Sequence, residues 1–180
     1  MLKSLFTFFW DIIKITVLAL LLAGLVRYFL VQPFFVEGSS MEPNFQNGEY
    51  LLVDEISYYF KQVERDEVIV FRYPLDTSKY YIKRVIGLPD ETIEIKNGKV
   101  KIYNDNNPAG FFADEGYLLR EGITTGDVKK KLGKSEFFVL GDNRLASSDS
   151  RQWGTLSRND IVGRVWLRAW PVYRATIFSY

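Results

Sequence analysis

A small-residue turn, Gly38-Ser39-Ser40-Met41-Glu42-Pro43, presents a serine a few residues beyond a hydrophobic run, and Pro43 stops the chain from continuing as helix. A serine hydroxyl attacks an amide only when a base takes its proton as the new bond forms. The 180-residue chain has no histidine and no cysteine, so it can build neither a Ser-His-Asp triad nor a Cys-His pair. A base for Ser40 must then be a lysine, a carboxylate or an N-terminal amine. Lys83 fits. It lies in Tyr80-Tyr81-Ile82-Lys83-Arg84-Val85-Ile86-Gly87-Leu88-Pro89, a strand-like run closed by Gly and Pro. Alternation at period two sends Lys83 and Arg84 to opposite faces, so one cation can enter an apolar interior while the other faces out. An ordinary lysine, with a pKa of about 10.4, is neutral only about once in 2,500 molecules at pH 7, and burial is what moves it down. Tyr81 and Val85 flank Lys83 on its own face, and Phe71 and Val139 lie in candidate neighbouring strands.

Three segments, in order, resemble the type I signal peptidases, membrane-bound serine proteases with a Ser/Lys dyad. They are Ser40-Met41-Glu42-Pro43, the Tyr81 to Pro89 run, and Gly141-Asp142-Asn143-Arg144 continuing through Ser147, Asp149, Ser150 and Arg151. The resemblance implies Ser40 as nucleophile, Lys83 as general base, and the Ser40 backbone N–H as an oxyanion donor. It also implies Ser147 as a hydroxyl that hydrogen-bonds and orients the lysine. Some family members carry a further hydroxyl two residues before the nucleophile; here that position is Gly38, and Ser39 reads as a turn residue. Met41 reads as lining the substrate cleft or packing in the core. Asp142, Arg144, Asp149 and Arg151, with Arg84, read as an ion-pair network supporting the site. None of these acids suits a catalytic part, because a carboxylate touching Lys83 would raise the lysine pKa. The sequence departs from the family at Asn44, where Thr is usual, and at Asp66-Glu67 and Asp90-Glu91, where Gly-Asp is usual.

Residues 12–31 form an apolar run of 20 residues, long enough at ~1.5 Å per residue to cross a hydrocarbon core of roughly 30 Å. Lys14 and Arg27 interrupt it close enough to its ends to snorkel. No small-x-small cleavage site closes the run, which argues against a removable leader. The division expected is a short cytoplasmic segment over 1–11, an anchor over 12–31, and an extracytoplasmic β-rich domain over 32–180. The resemblance, more than the loop charges, puts that domain outside the cytoplasm. Lys+Arg 23 against Asp+Glu 22 leaves a net charge of +1, which gives no footing for nucleic acid. Without cysteine there is no disulfide framework and no thiolate metal site, and no cofactor or metal is expected.

The fold expected is mostly β, of antiparallel strands behind one transmembrane helix. Residues 32–37 leave the membrane extended around Pro33. Residues 50–53, 68–71 and 136–140 read as buried strands, and 161–171 as a last strand. Residues 92–103 flank Asn97-Gly98 with two alternating strands, a hairpin with Ile93, Ile95, Val100 and Ile102 on its inner face. From 104 to 134 the chain turns polar and reads as a solvated insertion with one short helix, carrying Lys129-Lys130-Lys131.

The function implied is a membrane-anchored endopeptidase removing signal peptides from exported preproteins after Ala-x-Ala-like small residues. Its partners would be preprotein signal peptides and the lipid bilayer. Two alternatives stand beside it. One is a catalytically silent relative acting as an assembly factor or chaperone for surface proteins. The other is a self-cleaving repressor, against which the apolar run and the lack of a DNA-binding module argue.

Overall fold

The computed structural model describes residues 2–29, 31–120 and 122–180; for 2–6, 22, 23, 25–29 and 31 it describes the backbone alone. The first element is a helix, α1 (Leu2–Phe29), which takes up most of the apolar run. Position 30 lies outside the described residues, and Val31 already opens a strand rather than ending the helix. Among the described residues, no helix is long and apolar enough to cross a membrane. Yet Ile12, Ile13, Ile15, Val17, Leu18, Leu20 and Leu21 are all exposed, so over 12–21 the helix buries no apolar stripe.

Twelve strands follow, all antiparallel in their pairings. They are β1 (Val31–Phe35), β2 (Tyr50–Asp54), β3 (Val68–Tyr73), β4 (Asp76–Gly87), β5 (Thr92–Lys96), β6 (Lys99–Asn104), β7 (Asn107–Phe112), β8 (Val128–Lys131), β9 (Glu136–Leu140), β10 (Leu156–Ser157), β11 (Ile161–Trp170) and β12 (Thr176–Ile177). Eight form one sheet in the order β1-β2-β11-β3-β4-β9-β10, with β12 added to β11; four form a second in the order β7-β6-β5-β8. Central β3 is covered on both faces, which is why Val68-Ile69-Val70-Phe71 is apolar without alternation. Nearer the edge, β2 alternates instead: Leu51 and Val53 are buried and Tyr50 is exposed.

Alternation along β3 and β4 sorts the interior. Ile69, Phe71, Val85 and Val139 share one cluster, while Val68, Val70, Leu51, Val53, Met41 and Phe45 share another. Lys83 pairs with Ile69 and Arg84 with Val68, so the two cations do face opposite sides of the sheet. Both are nonetheless buried; on the Arg84 side, the loop after β9 brings Asp142 against the guanidinium and the loop after β7 lays the Tyr117 ring over it.

The 92–103 hairpin forms in the expected register, with Lys96 opposite Lys99 and Asn97 and Gly98 both at positive φ, as a type I′ turn requires. Ile93, Ile95, Val100 and Ile102 are buried against Ile86, Phe138 and Leu140. The segment 104–134 is mostly exposed, as a solvated insertion would be, but its secondary structure is corrected. Strands β7 and β8 occupy the two open edges of that hairpin, Lys129 to Lys131 lie in β8, Thr124 and Leu132 are buried, and no helix is described there. Asn107-Pro108-Ala109-Gly110 carries no strand pattern; the hairpin edges supply the pairing that the sequence does not advertise. Nor is β11 last, since β12 folds back on it beyond a 3₁₀ turn.

Candidate active site

Ser40 sits on the loop joining β1 to β2. The base of that loop is closed by Val36 N–H to Glu49 O and Gly48 N–H to Val36 O, each 2.9 Å. Within it, Phe45 N–H donates to Met41 O at 2.9 Å, and the side chains of Met41 and Phe45 turn inward, each 1% exposed. This corrects the cleft reading of Met41. The turn that raises Ser40 drives the next side chain into the core, where it packs with Val36, Phe45 and Leu51. Asn143 holds the turn from the far side, its N–H donating to Ser40 O at 3.0 Å and its Nδ2 to Ser39 O at 3.1 Å. Among the described residues the Ser40 N–H itself donates to no protein acceptor.

Lys83 reaches Ser40 from β4. Its Nζ lies 2.7 Å from Ser40 Oγ and donates to Ile82 O at 2.7 Å, with the Tyr81 ring 5.4 Å away. The residue is 3% exposed. Burial pulls its pKa down from 10.5 to about 8, against a smaller upward pull from Asp149 and Asp142. At pH 7 roughly one molecule in ten then carries a neutral amine, a gain of more than two orders of magnitude over an exposed lysine. No carboxylate is among its hydrogen-bond partners. An open cleft of about 600 Å³ leads to the pair, walled on one side by Phe34 to Ser40 and on the other by Lys79 to Lys83, with Ala146 and Ser148 beside them.

The third motif follows β9. The network expected there resolves into three ion pairs around Gly141. Arg84 Nε and Nη2 grip the two oxygens of Asp142 at 2.8 and 2.7 Å, and Asn44 Nδ2 adds a third bond to Asp142 at 2.9 Å. Arg151 pairs with Asp149, which also accepts Gly141 N–H at 3.1 Å. Arg144, fully enclosed, donates to Gly141 O at 3.1 Å and pairs with Glu115 and Thr124, with Tyr117 Oη 3.0 Å away. Gly141 permits this closeness: a Cβ there would collide with Ser147 Oγ and stand 2.5 Å from Ser40 O. Ser147 is buried beside it, but its Oγ has no hydrogen-bond partner among the described residues, so the bond to Lys83 implied by the resemblance is not made here.

The profile of the family described as "Signal peptidase, peptidase S26" matches residues 9–170. The chain is 39% identical over 160 residues to signal peptidase I of Bacillus amyloliquefaciens, spanning 86% of this chain and 82% of that one. It belongs to the signal peptidase S26 family. It is also 35% identical over 176 residues to probable signal peptidase I-1 of Synechocystis sp., spanning 92% and 86% of the two chains. The crystal structure of a signal peptidase I from Enterococcus faecalis aligns at a TM-score of 0.47 and 27% identity, over 58% of this chain and 97% of that one.

The departures from the usual signal peptidase pattern now have physical content. Asn44 ties Asp142 to Tyr117 O with both bonds donated by Nδ2; the amide has the two protons this bridge needs, whereas a threonine hydroxyl has one. Asp66 and Asp90 both adopt positive φ, 68° and 65°, so these turns do require the left-handed region and the aspartates carry the strain. Sequence reasoning missed Asn143 as the holder of the nucleophile turn and Glu115, Tyr117 and Thr124 as partners of Arg144. All three partners lie in the segment read as solvated, where no periodicity marks them.

Proposed function

We propose that the chain is a membrane-anchored serine endopeptidase that removes N-terminal signal peptides from exported preproteins after small residues. The observation that carries it is the 2.7 Å contact between Lys83 Nζ and Ser40 Oγ, made by a buried lysine with no carboxylate among its hydrogen-bond partners. With Lys83 neutral, the Ser40 hydroxyl donates to the amine as Oγ attacks the scissile carbonyl. The carbonyl π pair moves to oxygen, where the Ser40 N–H is free to stabilise the charge. The ammonium so formed returns the proton to the leaving amine as the C–N bond breaks, giving an acyl-Ser40 ester. Water, losing a proton to the again neutral lysine, then attacks the ester carbonyl; the C–Oγ bond breaks, the ammonium returns its proton to Ser40 Oγ, and the new carboxyl terminus leaves. Ser147 takes its bond to the Lys83 ammonium during the steps in which that charge exists, and Asp142, Arg144, Asp149, Arg151 and Arg84 keep the floor of the site in place.

The cleft between 34–40 and 79–83 suits an extended peptide, which would add to the strand edges through its main chain. The apolar run over 12–31 and the exposed apolar side chains described over 12–21 support a membrane anchor, since a helix apolar on every face needs an apolar surround. The topology that goes with it is a cytoplasmic 1–11 and an extracytoplasmic 32–180. A silent chaperone-like relative would have no use for a lysine buried against a serine with its pKa pulled down to about 8. The test is to incubate the detergent-solubilised chain with a preprotein whose signal ends in Ala-x-Ala and to sequence the new N-terminus. Cleavage after that motif by the parent, and none by Ser40→Ala, supports the reading. An intact preprotein, or cleavage undiminished by Ser40→Ala, removes it.

A further inference from the structure

A buried charge cluster lies behind the Ser40 turn, separate from the three ion pairs around Gly141. Glu49, at the base of the loop, is 2% exposed. Its two oxygens stand 2.9 Å from Arg168 Nε and 2.9 Å from Arg174 Nη1, as charge contacts whose N–H groups are not aligned for hydrogen bonding. Each guanidinium turns its remaining end to the loop that carries the nucleophile. Arg168 Nη2 donates to Asn44 O at 2.5 Å, and Arg174 Nη2 donates to Pro43 O at 3.3 Å. Arg168 is also enclosed by the rings of Phe45 and Phe178, at 5.2 and 5.4 Å, which meet each other tilted by 32° with centroids 5.0 Å apart.

Two features make this more than a stabilising pair. The carbonyls gripped are three and four residues after Ser40, in the turn that Phe45 N–H closes on Met41 O, so a shift in them moves Ser40 with little slack. Asn143 holds the same turn by its other carbonyls, Ser39 O and Ser40 O, so the turn is gripped from both sides. A planar guanidinium meets Glu49 and a main-chain carbonyl from two nitrogens held at a fixed spacing, whereas an ammonium would have to make both contacts from a single nitrogen. We propose that Glu49, Arg168 and Arg174 form a clamp that fixes the turn carrying Ser40, with Arg174 a positioning residue for peptide hydrolysis. The inference rests on Ser40 being the nucleophile.

The experiment measures kcat and KM on a preprotein for the full-length Arg174→Gln and Arg174→Lys variants, with Ser40→Ala alongside and the folded fraction followed by circular dichroism. Arg174→Gln is expected to lower kcat at least tenfold with KM within twofold of the parent and the acid limb of the pH profile in place. Arg174→Lys, which keeps the charge on Glu49, should recover only part of that loss. A kcat within twofold of the parent in both variants overturns the clamp, as does a loss matched by the unfolded fraction at the assay temperature. Activity in Ser40→Ala would instead strike the nucleophile assignment beneath it, an outcome told apart by its own variant.

Discussion

Lys83 and Arg84 are consecutive cations on β4, both buried, and their surroundings could hardly differ more. Arg84 lies against Asp142, gripped at both oxygens, with the Tyr117 ring 4.1 Å from its guanidinium; these contacts hold its pKa above the already high usual value. Lys83 has a carbonyl, a hydroxyl and an apolar cluster, and burial pulls its pKa down to about 8. One charge is neutralised by a partner and the other by losing its proton. Desolvation is common to the two sites, so the carboxylate decides which cation stays charged and which can act as a base.

The largest test abolishes the difference. Lys83→Arg installs a second permanent cation beside Ser40 and should reduce kcat/KM at least a thousandfold, as Ser40→Ala should, with no further loss in the double variant. In the parent, kcat/KM should rise about tenfold per pH unit toward a plateau above pH 8, because only the deprotonated amine can accept the proton. A Lys83→Arg enzyme with substantial turnover and the parental profile would end the comparison.

Breaking the other side comes next. Asp142→Asn leaves Arg84 buried without its carboxylate and should cost about 3–5 kcal/mol of stability, read by denaturant unfolding. It also removes a charge that pulls the Lys83 pKa upward, so any surviving activity should have its pH midpoint shifted down. A midpoint that rises would mean Asp142 acts on Lys83 by other means.

Smaller is the stability cost of Lys83 itself. Between about pH 8 and 10.5 the unfolded chain holds a proton that the folded chain has lost, so stability rises with pH across that window. Below it the fold carries a desolvated ammonium. Lys83→Met should therefore be inactive yet more stable than the parent near pH 7, by up to about 3 kcal/mol, with the gain fading as pH climbs through the window. Equal stabilities at neutral pH would mean that Lys83 is solvated well enough to stay charged.

The smallest effect concerns the turn under Arg84, whose Nη1 donates to Asp66 O at 2.8 Å. Asp66→Gly relieves about 1 kcal/mol of left-handed strain but loosens the unfolded chain by a similar amount, so stability should change by no more than about 0.5 kcal/mol. A larger loss would show that the carboxyl, not the backbone angle, matters there.

How far the sequence reveals this arrangement depends on which kind of signal each part emits. Ile93, Ile95, Val100 and Ile102 around Asn97-Gly98 are legible because one periodicity and one turn type determine the hairpin locally. Ser40 and Lys83 are legible by elimination and resemblance. What brings them to 2.7 Å is not, since they are 43 positions apart in the chain and two strands, β11 and β3, lie between β2 and β4 in the sheet. For Met41 the sequence leaves cleft and core both open, because a turn gives no period to tell inside from outside. The polar segment after Asn104 hides two edge strands and the partners of Arg144, because edge strands borrow their order from a neighbour.

Gly141 sets a condition on the chain's history as well as its shape. A side chain there, even one carbon, would meet the Ser147 hydroxyl and the Ser40 carbonyl at once, and the second of these is backbone that cannot step aside. The position has an alphabet of one letter for as long as the site is used. Drift at 141 should then accumulate only in lineages released from selection for peptide hydrolysis. Glycine at this place is thus a marker, independent of Ser40 and Lys83, by which working enzymes and retired relatives can be sorted from sequence alone.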